Sequence, residues 1–141
     1  WGSSRTGPDL ARVGGKYSDE WRVQHMKAPR SVVPESIMPT YAFLSDRELS
    51  PGDMRDHLTA LSRVGVPYSP AGIAAANDDL KAQADTQADS KGLLSRYPKA
   101  KIRDFDGNGA KITEMDALVA YLQLLGTQVD FEAAKAQERP K

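Results

Sequence analysis

Cysteine is absent from all 141 residues. That absence removes disulfides, thiolate metal sites, a cysteine nucleophile and any thioether attachment of a c-type haem by this stretch of chain. It also leaves the redox compartment unreadable from cysteine usage. Long apolar runs are missing as well, since nothing approaches the roughly 18 consecutive residues that a membrane-spanning helix requires. No basic, apolar and then small-residue leader opens the sequence, so the expectation is a chain with neither a span nor an export signal. Charge of one sign is lacking: 19 Lys and Arg balance 19 Asp and Glu, and each half of the chain is within one charge of neutral. No basic stripe therefore speaks for nucleic acid and no charge block for a membrane surface. Neither G-x-x-x-x-G-K-[ST] nor G-x-G-x-x-G occurs to cradle a phosphate, and no nucleophile elbow supports a serine hydrolase. Asp78-Asp79 falls on a helix expected to be solvated, without a pocket to raise one carboxyl pKa. What remains is one ordinary globular domain, 40% apolar, long enough to bury a core.

The punctuation predicts an all-α domain of three to four short helices tied by long loops. Gly2, Gly7, Pro8, Gly14 and Gly15 make the entry irregular, with at most one helical turn near Leu10 and Val13. Ser18 is a good N-cap, Asp19 and Glu20 suit the first turn, and Trp21, His25 and Met26 form a partial inward stripe before Pro29. From Arg30 to Leu44, Pro34 and Pro39 interrupt Val32, Val33, Ile37, Met38, Tyr41 and Phe43. That segment is too broken for a helix and too apolar for a solvated loop, so it should lie against something hydrophobic. Ser50-Pro51 opens a helix with Met54, Leu58 and Leu61 inward, which Gly65 ends. Ser69-Pro70 opens a poorer one with a thin stripe of Ile73, Ala76, Leu80 and Ala84, read as solvated or as a mobile insert. Residues 92–112 are expected to form a satellite cluster. Thr113 and Asp116 then cap the strongest helix, with Met115, Leu118, Val119, Leu122 and Leu125 inward and Gly126 as its stop. Residues 132–141 are a polar tail expected to fray.

Met38 is a soft, neutral thioether on a loop stiffened by two prolines, a donor suited to haem iron. A loop methionine ordinarily fills a gap, and what lifts this one is the order of its neighbours. T-G-P-D-L (Thr6–Leu10) comes first, followed by Y-S-D-E-W-R-V-Q-H-M-K-A-P-R and S-V-V-P-E-S-I-M-P-T-Y. A capped helix ending L-S-R-V-G-V-P-Y comes next, and T-E-M-D-A-L-V-A-Y-L-Q-L-L-G-T closes the series. This order resembles a class I cytochrome c domain read from its middle to its end. More narrowly it resembles the membrane-anchored mono-haem cytochrome c subunit, subunit II, of cbb3-type haem–copper cytochrome c oxidases, the FixO or CcoO family. The resemblance covers residues 1–69 and 110–131, with 70–109 as a variable insert. It implies that Met38 is the distal axial haem ligand, that Gly7 and Pro8 pack beside the proximal histidine, that Leu10 touches the porphyrin and that Trp21 lines the crevice or an adjoining surface. It also implies a place on the periplasmic side of a bacterial inner membrane. Electrons would pass from a cytochrome c donor or the di-haem cytochrome c subunit, through this haem, to the catalytic subunit that reduces oxygen, with no bond-making by this subunit itself. Family members carry a transmembrane helix and a C-x-x-C-H motif upstream, and this sequence has neither. The expectation is a haem-less soluble C-terminal fragment, loose around Met38 or self-associating, the alternative being a relative that has lost its haem.

Two histidines could be asked to replace the missing ligand. His25 and His57 both read as boundary residues on helices, and position alone promotes neither. A rival reading comes from D-F-D-G-N-G-A-K-I-T-E, where Asp104, Asp106 and Asn108 match the first calcium-ligand positions of an EF-hand and Gly109 the turn. The second half departs: the twelfth position is Met115, with Glu114 one residue short and Asp116 one long. The simpler expectation is an Asx-type turn leading to the Thr113 cap, the alternative a small helical binding module with a degenerate calcium loop and no redox role.

Overall fold

The computed structural model describes Gly7 and residues 9–127. Among them the chain is helical, in the order α1 (Asp19–Lys27), α2 (Pro29–Val32), α3 (Met54–Arg63), α4 (Pro70–Ala84), α5 (Lys91–Arg96) and α6 (Glu114–Leu124). Short 3-10 turns cover Leu10–Arg12, Ala42–Ser45 and Pro51–Asp53. The all-α class is as expected, with more and shorter helices than three or four. The extra pieces arise where proline sits at a first helical position, because a fixed φ and a dispensable N–H start a turn that has nothing to extend it. Pro29 thus opens α2 instead of only stopping α1. The polar tail 132–141 and Pro8 lie outside the described residues. Among those described, no helix is long and apolar enough to cross a membrane.

The caps behave as side-chain chemistry dictates. Ser18 Oγ accepts from the Trp21 N–H at 3.2 Å, Ser69 Oγ accepts from Gly72 at 3.0 Å, and Thr113 with Asp116 forms a full capping box. Ser50 is the exception. Its hydroxyl makes no cap bond, because the 3-10 turn Pro51–Asp53 intervenes and α3 begins only at Met54.

The core is Val23, Phe105, Met115 and Val119, with Met26, Leu44 and Ala120 packed around it. Met115 and Val119 are wholly buried, and each such side chain contributes roughly 1.5–3 kcal/mol. Phe105 belongs to this core and not to a satellite cluster. Nor is α4 merely solvated: it packs against α3 and buries Gly72, Ala76 and Asp79. Its thin apolar stripe is supplemented by polar ties that periodicity does not show. The Arg55 N–H donates to Asn77 Oδ1 at 3.0 Å, Arg55 Nη2 donates to the Ala74 carbonyl at 3.0 Å, and Asn77 Nδ2 donates to the Gly52 carbonyl at 3.2 Å. The buried Asp79 is ion-paired with Arg96 of α5.

Two further contacts close the domain. The segment before α6 pairs with residues 47–49, the Leu49 N–H donating to the Ile112 carbonyl at 2.8 Å and the Glu114 N–H to the Arg47 carbonyl at 2.9 Å. The entry segment seats on the end of α6, where the Gly14 N–H donates to the Leu125 carbonyl at 2.9 Å. Gln123, only 3% exposed, fastens the same junction. Its Oε1 accepts from the Gly15 N–H at 2.8 Å, and its Nε2 donates to the Tyr17 carbonyl at 2.9 Å and to Asp19 Oδ1 at 2.5 Å.

Candidate functional site

The segment carrying Met38 is irregular but tied down. The Ser36 N–H closes a turn on the Val33 carbonyl at 2.9 Å, Arg30 Nε reaches the Ser36 carbonyl at 3.1 Å, and the Met38 N–H donates to Ser36 Oγ at 3.2 Å. Beyond Met38 the chain docks on the C-terminal end of α1. Thr40 Oγ1 donates to the Lys27 carbonyl at 2.7 Å and the Tyr41 N–H to the Met26 carbonyl at 2.8 Å. These are carbonyls that a helix end leaves without intrahelical partners, so loop and helix satisfy each other. Met38 is half-buried on a loop held on both sides, while Ile37 beside it is 75% exposed and Val33 and Phe43 are exposed as well.

On α1 the buried positions are Arg22 and Val23, and Trp21, His25 and Met26 are half-buried. The expected inward stripe is therefore rotated. Tyr17 and Trp21 stack at 4.2 Å between centroids, and His25 tilts against Trp21 at 4.6 Å, so these three rings ladder along the flank of the helix. Burial pushes the His25 imidazole below its ordinary pKa of 6.5. Leu10 is 51% exposed and Gly7 is exposed. His57 is exposed on α3.

Arg22 carries no signal in the sequence, because an arginine in a first helical turn ordinarily faces water. Here it is 3% exposed, one terminal N–H donates to the Val13 carbonyl, and its Nε has no acceptor among the described residues.

These residues suit one side of a haem site. A half-buried thioether on a pinned loop, exposed apolar side chains beside it and a buried cation with an orphaned N–H all match what a porphyrin carrying an iron and two carboxylates would use. The covalent anchor does not fit, since the chain has no cysteine. A proximal nitrogen is not offered either: His57 faces solvent, and the His25 ring is packed on Trp21.

At the other candidate, carboxylate oxygens of Asp104, Asp106 and Asp116 lie within 4.8 Å of one another. Asn108 is tied to the cluster through its main chain. Its backbone N–H donates to Asp104 Oδ1 at 3.2 Å and Asp106 Oδ1 at 2.8 Å. Asp116 was expected only as a cap, and it does two things at once. Its Oδ2 accepts from the Thr113 N–H at 2.9 Å, and its Oδ1 from the N–H groups of Phe105 at 3.2 Å and Asp106 at 2.9 Å. Burial is the largest influence on Asp116 and raises its pKa. The Thr113 N–H opposes that, and the neighbouring Asp106 and Asp104 charges reinforce it.

A family model described as "Cytochrome C oxidase, mono-heme subunit/FixO" matches residues 1–129, a span that takes in 70–109 as well. Comparison with curated proteins gives no match.

Proposed function

The chain belongs to the FixO family of mono-haem cytochrome c oxidase subunits, and from that premise we propose that its residues build the distal side of the subunit's haem site, with Met38 as the axial ligand. Members of this family are haem-binding, membrane-anchored electron-transfer subunits of the oxidase. When bound, the haem supplies a one-electron iron couple. The residues of this chain tune and orient that couple. The Met38 sulfur is a soft, uncharged donor that favours the reduced metal, and the apolar stretch Val32–Phe43 lowers the local dielectric and so disfavours the more highly charged oxidised state. Leu10, Gly7 and Pro8 would flank the porphyrin, and Trp21 the crevice or the surface beside it. Thioether attachment of the haem would need cysteines, which these 141 residues do not contain. The subunit would face the periplasm and receive electrons from a cytochrome c donor or the di-haem subunit. It would deliver them to the catalytic subunit without making or breaking bonds itself.

The observation that carries this reading is the loop around Met38, fixed to the end of α1 by the Thr40 and Tyr41 bonds. The test is the reduced-minus-oxidised visible spectrum and midpoint potential of the haem-loaded subunit isolated with its oxidase, as wild type and as Met38→Ala. Loss of the methionine-ligated signature with a fall in potential is expected. A variant whose spectrum and potential match wild type would remove Met38 from the iron.

We read the acidic loop as a clasp and not a calcium site. Five of its six carboxylate oxygens already accept hydrogen bonds from the loop and the Thr113 cap.

A further inference from the structure

Two adjoining clefts lie between α4, α5, the loop 97–101 and the end of α6, with volumes of about 590 Å³ and about 540 Å³. They share Gln83, Lys99, Ala100 and Leu124, so together they form one trough. Leu80, Leu93 and Pro98 give its first half an apolar wall, and Tyr68 and Tyr121 its second. Large side chains along it remain open to solvent: Tyr121 is 57% exposed, Leu124 41% and Tyr97 37%. The charge on the trough is of one sign. In the first half the Asp79 carboxylate is cancelled by Arg96, whose Nε donates to it at 2.8 Å, which leaves the ammonium group of Lys99. The second half is lined by Lys99 and Lys101 and, among the described residues, by no carboxylate. An open apolar trough with ammonium groups along it suits an occupant that carries apolar side chains and carboxylates together.

The chain itself supplies one, and at the right place. Its path leaves α6 through Gly126, at φ +77, and Thr127, whose N–H and hydroxyl both donate to the Leu124 carbonyl, at 3.0 Å and 2.7 Å. Thr127 lines the second half of the trough, and Lys99 Nζ donates to its carbonyl at 3.4 Å. The next five residues are Gln128-Val129-Asp130-Phe131-Glu132, with one aromatic ring, one aliphatic side chain, two carboxylates and no cation. Four residues of extended chain span about 13 Å, so Phe131 is within reach of a trough that begins at Thr127. A ligand tethered at the rim binds at an effective concentration on the order of millimolar, an advantage no separate molecule shares. We propose that residues 128–132 dock in this trough, with Phe131 on the apolar floor beside Leu124 and Tyr121 and the Asp130 and Glu132 carboxylates against Lys99 and Lys101. The docked segment covers the open side of α4 and α5 and fastens them to the end of α6. It is independent of the haem site read above.

The test uses the full 141-residue chain. Carbodiimide coupling joins a carboxylate to an adjacent amine with loss of water and adds no spacer. It should link Asp130 or Glu132 to Lys99 or Lys101 within one molecule, as read by peptide mass spectrometry. The amides of Val129 to Glu132 should exchange hydrogen more slowly than those of the same segment as a free peptide. Phe131→Ser should abolish that protection. Lys99→Glu combined with Lys101→Glu should abolish it too, and adding Asp130→Lys with Glu132→Lys should bring it back, a rescue that general loosening of the fold would not give. If the wild-type amides exchange at free-peptide rates, or if protection survives both Phe131→Ser and the paired lysine reversals, the proposal is wrong. Links found only in a covalent dimer, and growing with protein concentration, would put a second copy in the trough and overturn it as well.

Discussion

Replacing Gly126 by alanine tests whether the entry segment is seated on the end of α6. Gly126 has φ +77, a left-handed conformation that costs a residue with a Cβ roughly 1 kcal/mol. A Cβ there would also meet the Ala11 carbonyl oxygen at 2.4 Å and Arg12 Cα at 2.9 Å. Both are backbone atoms and cannot swing away, so overpacking adds about 1–3 kcal/mol. The total, about 2–4 kcal/mol, should lower the melting temperature by roughly 6–16 °C for a chain of this size. Thermal unfolding followed by far-ultraviolet circular dichroism reads this directly. Gly107 supplies the control, because it has φ +81 but nothing within 4 Å of its would-be Cβ. Gly107→Ala should therefore show the conformational cost alone, about 1 kcal/mol. Asparagine, which tolerates the left-handed region, should be nearly neutral at 107 and still costly at 126. Equal losses at the two positions would refute the close approach of residues 11–12 to the end of α6.

Gln123→Leu leaves the Gly15 N–H and the Tyr17 carbonyl without their partner. It should cost about 2–4 kcal/mol, with faster hydrogen exchange at the Gly15 amide as the local readout. His25, with its pKa below 6.5 in the folded chain, is favoured neutral by the fold. The unfolded state then takes up a proton first, and stability should decline as pH falls from about 6.5 through the lower folded value. Melting curves of His25→Phe should lack that component, and an identical pH profile for the two proteins would contradict the burial of the ring. Calcium titrated calorimetrically into the chain should give no binding in the micromolar range. Micromolar binding abolished by Asp104→Ala would replace the clasp with a cation site.

The elements most legible in the sequence were those set by local chemistry. Ser18, Ser69 and Thr113 announce their helices because a hydroxyl that can take an orphaned N–H is a property of a few adjacent residues. The rotation of α1 was not legible. Periodicity points to Trp21 and His25, but Trp21 stacks on Tyr17 and His25 on Trp21, which keeps both rings on the flank and leaves Arg22 and Val23 inside. Phe105 was assigned to a satellite cluster because nothing near it in sequence shows that it reaches Val23, Met115 and Val119. The ties Arg55–Asn77 and Arg22–Val13 were invisible for the same reason, since a polar residue that bonds across the fold has the same sequence signature as one that faces water. At the site, the order of motifs around Met38 carried the reading. The pinning of that loop, and the second role of Asp116, appear only in three dimensions.

The junction of residues 14–15 with Gln123 and Leu125 also determines how the domain can be handled. It joins positions more than 100 residues apart in sequence, so the chain begins and finishes its described path at one place. A pull applied at residue 9 or at residue 127 would load the Gly14–Leu125 bond before it reached the Met38 loop. Reordering the chain, with a short linker across the junction and new ends in the exposed turn at Asp85–Gln87, would keep every helix intact.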